Sequence, residues 1–286
     1  MRREILLIAV LLLGSGLSLA QKAEDATFHA YVDSEICARL MLGPITDKRI
    51  ECSKDTHKNG DRLAIVRVSD NSVFEVRNQK TVKKLVGEFV AVTGKTNEKA
   101  GKIKVVSAEA VGRAEILKGQ IDAKLMDVRN YRSSGDPVYE KVRHTLAMMP
   151  YISEFDFISF AMAGDHVILS GWTVRITNRD SAYRLVKRVE GVGGITNNIQ
   201  VLPMGSMDMN VRAGARVRLQ RHLARYFWGS GSAIKIIVKN GNIILLGTVS
   251  TQRDSDIAYI QCRGVPLAFH VFNLLRVAKE GNKKTG

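Results

Sequence analysis

The stretch ILSGWTVRITNRDSAY, Ile168 to Tyr183, returns as ILLGTVSTQRDSDIAY, Ile244 to Tyr259, its glycine moving 76 positions from Gly171 to Gly247. Internal self-similarity of this kind fixes the folding unit before any propensity argument begins. Each copy starts with a helical pattern, DPVYEKVRHTLAMM in one and NVRAGARVRLQRHLARYF in the other. A hairpin follows, FISFAMAGDHVILSG against AIKIIVKNGNIILLG, turning at Gly164-Asp165 and Asn240-Gly241, residue types that tolerate positive φ. A polar turn then leads to a second helix, RDSAYRLVKRVEG against RDSDIAYIQCRG. The closing strand is NNIQV at Asn197–Val201 and NLLRV at Asn273–Val277. The unit is therefore helix–strand–strand–helix–strand. Gly171 and Gly247 end a strand where the backbone must turn or approach a neighbour, which suits a residue without Cβ. Asp180 or Ser181, and Asp254 or Ser255, are expected to cap the second helices.

The N-terminus reads as a cleavable leader over residues 1–20. Arg2 and Arg3 precede the apolar run Ile5–Leu13, and Ser18-Leu19-Ala20 supplies small residues before Gln21. Whether the leader is cut or kept as an anchor stays open. An exported chain can hold disulfides, and Cys37 and Cys52, on either side of Gly43-Pro44, form a candidate pair brought together by two strands. Cys262 stands alone in a helical segment and reads as a buried thiol. No CxxC or HxxxH spacing is present, so no metal or cofactor is expected. Charge is uneven: residues 21–112 carry a net +3, residues 113–203 a net +2 and residues 204–286 a net +9. For an exported chain such an excess points to anionic lipid or envelope polymer rather than nucleic acid.

Residues 27–112 read as a run of short strands, RLAIVRV, VFEV, EFVAVTG and KIKVVSAEAV, separated by turn compositions, with one helical insert at Thr81–Gly87. Five or so strands with a short helix late in the order predict a small OB-like β-barrel. The stretch GEFVAVTGKTNEKAGKIKVVSAEAV resembles the last two strands of small exported OB-fold modules. Residues 113–135 read as a linker, helical over Ala114–Val128 and loose in RSSGDP, and residues 279–286 as a basic tail. The expected class is α+β: an N-terminal barrel over 27–112, then two α-β-β-α-β modules over 136–203 and 210–278.

The repeat has the order apolar strand, glycine, polar turn, helix, Gly-Val (Gly191-Val192 and Gly264-Val265) and a final Asn-x-apolar-x-Val strand. It resembles the BON domain, with Gly171, Gly191, Gly247 and Gly264 as its structural glycines. The second copy departs from the pattern in RGVPLAFHVFNLLRV, which adds residues before Asn273. The resemblance implies a non-catalytic, periplasmic module associated with phospholipid surfaces or with envelope integrity under osmotic stress.

No catalytic constellation is legible; the GSGS run at Gly229–Ser232 lacks the preceding strand a phosphate loop needs. The first helix of the second copy carries physical content instead. On a helical wheel Ala215, Leu219, Leu223, Tyr226 and Phe227 form a core stripe, and Arg218, Arg221 and Arg225 fall opposite it. With Trp228 at its end, this helix is the candidate site for an anionic phospholipid surface. The bland alternative is a solvated helix face. Trp172 belongs either to its own module's core or to a contact with a partner. The expected function is an exported, non-enzymatic, peripherally membrane-associated envelope protein, or alternatively an assembly scaffold for other envelope proteins.

Overall fold

A computed structural model describes residues 25–42, 45–112, 136–228 and 232–278. The leader, Gly43-Pro44, the linker over 113–135, Gly229–Gly231 and the basic tail lie outside these residues. The first domain is a closed barrel of β1 (Ala26–Ser34), β2 (Leu63–Arg67), β3 (Val73–Val76), β4 (Phe89–Asn97) and β5 (Lys102–Ala110). The strands run in the order β1-β2-β3-β5-β4, and β4 pairs back onto β1. Only β3 and β5 are parallel. Alternate residues of β4 and β5, Val90, Val92, Ile103 and Val105, join Val32, Ile65 and Phe74 inside. This is the period-2 pattern of a strand with one buried face. The insert at Thr81–Gly87 is a pair of 3₁₀ turns, Gln79–Thr81 and Lys83–Leu85, rather than an α-helix.

Two helices that the strand reading overlooked sit between β1 and β2: α1 (Glu35–Leu40) and α2 (Asp47–Lys58). Each has its own cap, Ser34 accepting from the Cys37 N–H and Thr46 from the Arg49 N–H. Cys37 and Cys52 do form a disulfide, but it joins α1 to α2 and not two strands. Beneath it the Arg49 guanidinium meets the Asp33 carboxylate at 2.8 Å, both side chains buried.

The two modules follow the duplicated order. The first is α3 (Pro137–Ala147), β6 (Phe157–Ala163), β7 (His166–Thr173), α4 (Ile176–Lys187) and β8 (Gly194–Val201). The second is α5 (Ser206–Leu223), β9 (Ile234–Lys239), β10 (Asn242–Val249), α6 (Gln252–Arg263) and a closing strand in two pieces, β11 (Val271–Asn273) and β12 (Arg276–Val277). Each hairpin is antiparallel and each closing strand is parallel to the middle one. Gly171 (φ +120°) and Gly247 (φ +112°) sit where an added Cβ would collide with the Phe157 and Ala233 carbonyl oxygens. Both therefore answer the same demand for close backbone approach. Gly191 (φ +91°) packs against Val138, whereas Gly264 has negative φ and lies beside the Arg218 guanidinium.

The expected caps are corrected. Helix α4 begins at Ile176, so Asp180 and Ser181 lie inside it, and Arg175 at its N-cap makes no side-chain cap bond. Helix α6 is capped by Thr251, whose hydroxyl accepts from the Asp254 N–H at 3.1 Å. Asp254 sits in the first turn and accepts the Thr251 hydroxyl in return, while Ser255 bonds Asn273 of the closing strand.

Helices cover one face of each sheet; the other faces meet. In β10, Ile243 and Leu245 point into the second module's own core, and Ile244 and Leu246 point away from it. The outward pair packs with Ile237, Phe272, Trp172, Leu202 and Ile36 of α1, a core to which all three domains contribute. Trp172 is only 1% exposed there, so it belongs to a contact with neighbouring domains rather than to its own module's core. Polar groups complete the junction. The Lys239 ammonium reaches both Glu35 oxygens at 2.8 and 2.6 Å and Glu75 at 3.0 Å. Arg39 bonds Glu35 at 3.1 Å and donates to the Asn198 carbonyl. Asn198 in turn accepts from the Val73 N–H and donates to the Asn71 carbonyl.

Candidate functional site

The candidate surface is the helical layer of the second module, the side that its core leaves free. Ala215, Leu219, Leu223 and Tyr226 are buried against β9 and β10, as the helical period demands. Helices α5 and α6 run antiparallel. Gly214 touches Val265 and Arg218 approaches Gly264, while at the other end Arg225 meets Asp254. Between them lies an open groove of about 440 Å³ whose lining includes Val217, Arg218, Arg221, His222 and Gln261. Neither Arg218 nor Arg221 forms an ion pair among the described residues. Arg218 lies close enough to Cys262 to oppose in part the burial that pushes this thiol up to about 12.

Arg225 departs from the expected ridge. Helix α5 ends at Leu223, and Ala224–Phe227 is a 3₁₀ turn. The tighter turn winds through about 120° per residue instead of 100°, which brings Arg225 onto Asp254 at 2.5 Å, although its side chain remains 59% exposed. Burial raises the Asp254 pKa, but hydrogen bonds from Thr251, Tyr226 and Arg225 outweigh it and hold the carboxyl below its ordinary value. Trp228, immediately after the turn, is 76% exposed. The structure thus brings Arg218 and Arg221 together in one groove, commits Arg225 to a carboxylate and leaves Trp228 in solvent at the helix end.

Sequence reasoning did not identify Val217, His222 and Gln261 as groove residues. The signal was available, because Val217, Arg218, Arg221 and His222 follow i, i+1, i+4, i+5 on one helical stripe. Nor did it find the charges of the junction, where Lys239, Glu35 and Glu75 come from three distant segments. A larger cleft of about 950 Å³ lies between the barrel and the first module. Its charges are mostly satisfied within it: Arg67 by Asp70 and Glu98, Arg62 by Glu75, and Arg179 by Asp180. Among the described residues no cluster of three or more His, Cys, Asp or Glu could hold a metal ion, and no helix is long and apolar enough to cross a membrane.

Comparison with known proteins agrees with the geometry of the repeats. The BON domain family model matches twice, at residues 137–203 and 213–279. No curated protein matches. Among solved structures, one of CdsD, a structural protein of the type III secretion system of Chlamydia trachomatis, is 9% identical. It covers 49% of this chain and 92% of its own, with a TM-score of 0.21. A second structure, of the C-terminal domain of CdsD from Chlamydia trachomatis, is 10% identical and covers 50% of this chain and 98% of its own, with a TM-score of 0.20. Two α-β-β-α-β units, the paired glycines at Gly171 and Gly247 and the double family match lead to one conclusion: this chain is a tandem BON-domain protein with a closed five-stranded barrel at its N-terminal side.

Proposed function

We propose that the protein is an exported, non-enzymatic component of the bacterial envelope whose second BON domain attaches peripherally to anionic phospholipid. BON domains are associated with envelope and membrane-binding proteins. The observation that carries the reading is the α5–α6 groove, where two arginines lack carboxylate partners among the described residues, on a helix that leads through a 3₁₀ turn to a solvent-exposed Trp228. Each cation near an anionic surface contributes about 1 kcal/mol, so Arg218 and Arg221 together supply about 2 kcal/mol, or about thirtyfold in affinity. Arg225 adds less, because Asp254 neutralises it. Attachment of this strength is reversible and sensitive to salt.

Co-sedimentation with vesicles tests the reading. Binding to phosphatidylglycerol-containing vesicles, absent from purely phosphatidylcholine vesicles and weakened by salt, is expected. Equal binding to both, or none to either at low salt, overturns it and leaves a protein scaffold, to be sought by cross-linking in the envelope fraction.

A further inference from the structure

Charge is not the only property concentrated in the last domain. Among the described residues twelve large apolar side chains are exposed, and eight of them fall between Met204 and Val277. Two of these, Leu267 (56% exposed) and Phe269 (64%), share the loop between α6 and β11. This loop is where the second domain differs most from the first. The corresponding segment of the first is the tight Gly191-Val192-Gly193-Gly194, which presents no large side chain besides Val192.

The loop is braced. The Phe269 N–H donates to the Gly241 carbonyl at 2.9 Å, and the Ala268 N–H donates to that of Val265 at 3.2 Å. The Phe269 ring rests on Gly241, in the space a Cβ would fill, and the His270 ring rests in the same way on Gly60 of the barrel. Leu267 holds φ at +66°. A non-glycine residue in the left-handed region persists only where its surroundings enforce it. The outcome is a fixed backbone that spends strain and hydrogen bonds to hold two apolar side chains in water.

The loop also adjoins the arginine groove. Val265 touches Gly214 in the groove wall, and the Arg218 guanidinium lies against Gly264. Leu267 follows Gly264 by three residues, a reach of at most about 10 Å. Apolar side chains beside unpaired cations are the make-up of an interfacial binder, in which acyl chains take the first and lipid phosphates the second. We infer that the loop from Pro266 to His270 is an apolar wedge that enters the acyl-chain boundary of an anionic bilayer while Arg218 and Arg221 hold its phosphates. The inference rests on the lipid-surface reading and adds a contribution to it that salt does not screen.

Two measurements on the whole protein test it. In a Trp228→Phe background, Phe269→Trp places a reporter at the wedge, with Trp172 retained as the internal buried tryptophan. Vesicles containing phosphatidylglycerol with bromine on the acyl chains should quench and blue-shift it. Separately, wild-type protein should keep part of its binding at about 1 M salt, where the screening length is about 3 Å. The Leu267→Ser/Phe269→Ser variant should lose that remaining binding about tenfold, with the thermal midpoint as the check that it is folded at the temperature of the assay. An unquenched reporter on protein that still sediments with vesicles overturns the wedge and leaves the electrostatic reading standing. Absence of wild-type sedimentation with any vesicle overturns both. Self-association without lipid that Leu267→Ser/Phe269→Ser abolishes, with vesicle binding unchanged, shows a contact between copies and also overturns the wedge.

Discussion

The two BON domains share a fold and the geometry of Gly171 and Gly247, yet their surfaces have diverged. On the helical layer of the first, Lys141 pairs with Glu190, Arg143 with Glu140 and Arg179 with Asp180, while the exposed Arg184, Lys187 and Arg188 form no ion pair among the described residues. On that of the second, Arg218 and Arg221 line an open groove without such partners. The sheet ends differ as well. The hairpin of the first closes on Ala163, whereas its counterpart in the second closes on Lys239, which is buried between Glu35 and Glu75. The duplicated backbone sets the architecture, and a few side chains of the second copy give it both a charged anchor on the barrel and an open cationic groove.

The largest effect that would sharpen this contrast is expected at the docking lysine. Lys239→Ala leaves two buried carboxylates with Arg39, Arg62 and the Gln200 amide beside them. It should cost about 3–5 kcal/mol of stability, read by denaturant unfolding. The shared feature comes next: Gly171→Ala and Gly247→Ala should each cost about 3 kcal/mol, by forcing a side chain into left-handed backbone against a carbonyl. A marked inequality between them would break the equivalence of the two copies.

Asp61, at the junction where all three domains meet, should show next in order. Burial, and then the nearby Glu35, push it from the ordinary 3.8 up to about 7, while its carboxylate accepts the Ile36 N–H. The folded state therefore holds this proton more tightly than the unfolded chain. The resulting destabilisation builds as pH rises from about 4 to about 7 and is flat above. Asp61→Asn should remove it, raising stability at pH 7 and little at pH 4, as thermal unfolding across that range would register. Arg218→Gln/Arg221→Gln should then weaken binding to anionic vesicles about thirtyfold. The smallest effect should come from Arg143→Gln/Arg179→Gln in the first domain, about twofold at most by the same sedimentation assay. A comparable loss from both pairs would erase the division of labour.

Much of this architecture was legible because it is written in short-range pattern. The hairpins announce themselves by Gly164-Asp165 and Asn240-Gly241, and the barrel strands by alternation in VFEV and EFVAVTG. Helices α1 and α2 were not legible, since the buried side of α2 consists of Arg49, Ser53 and Thr56, with no apolar stripe to read. The caps were displaced because Thr251 offers the same chemistry as Asp254 three residues earlier. The arginine face was two-thirds legible: constant helical phase holds through Arg221 and fails at the 3₁₀ turn that sends Arg225 to Asp254. Pairing of Lys239 with Glu35 spans 204 positions, and no local pattern encodes it.

Strand β10 feeds one core with Ile243 and Leu245 and another with Ile244 and Leu246. Because the second of these also takes Trp172 and Ile36, the domains are not beads on a string that can turn independently. Excising the second domain would strip a hydrophobic face bare, so a truncated piece should clump rather than act as a free-standing unit. Whatever grips its helices also sets the tilt of the barrel, whose polar cleft would then stand at a constant angle and height above that support.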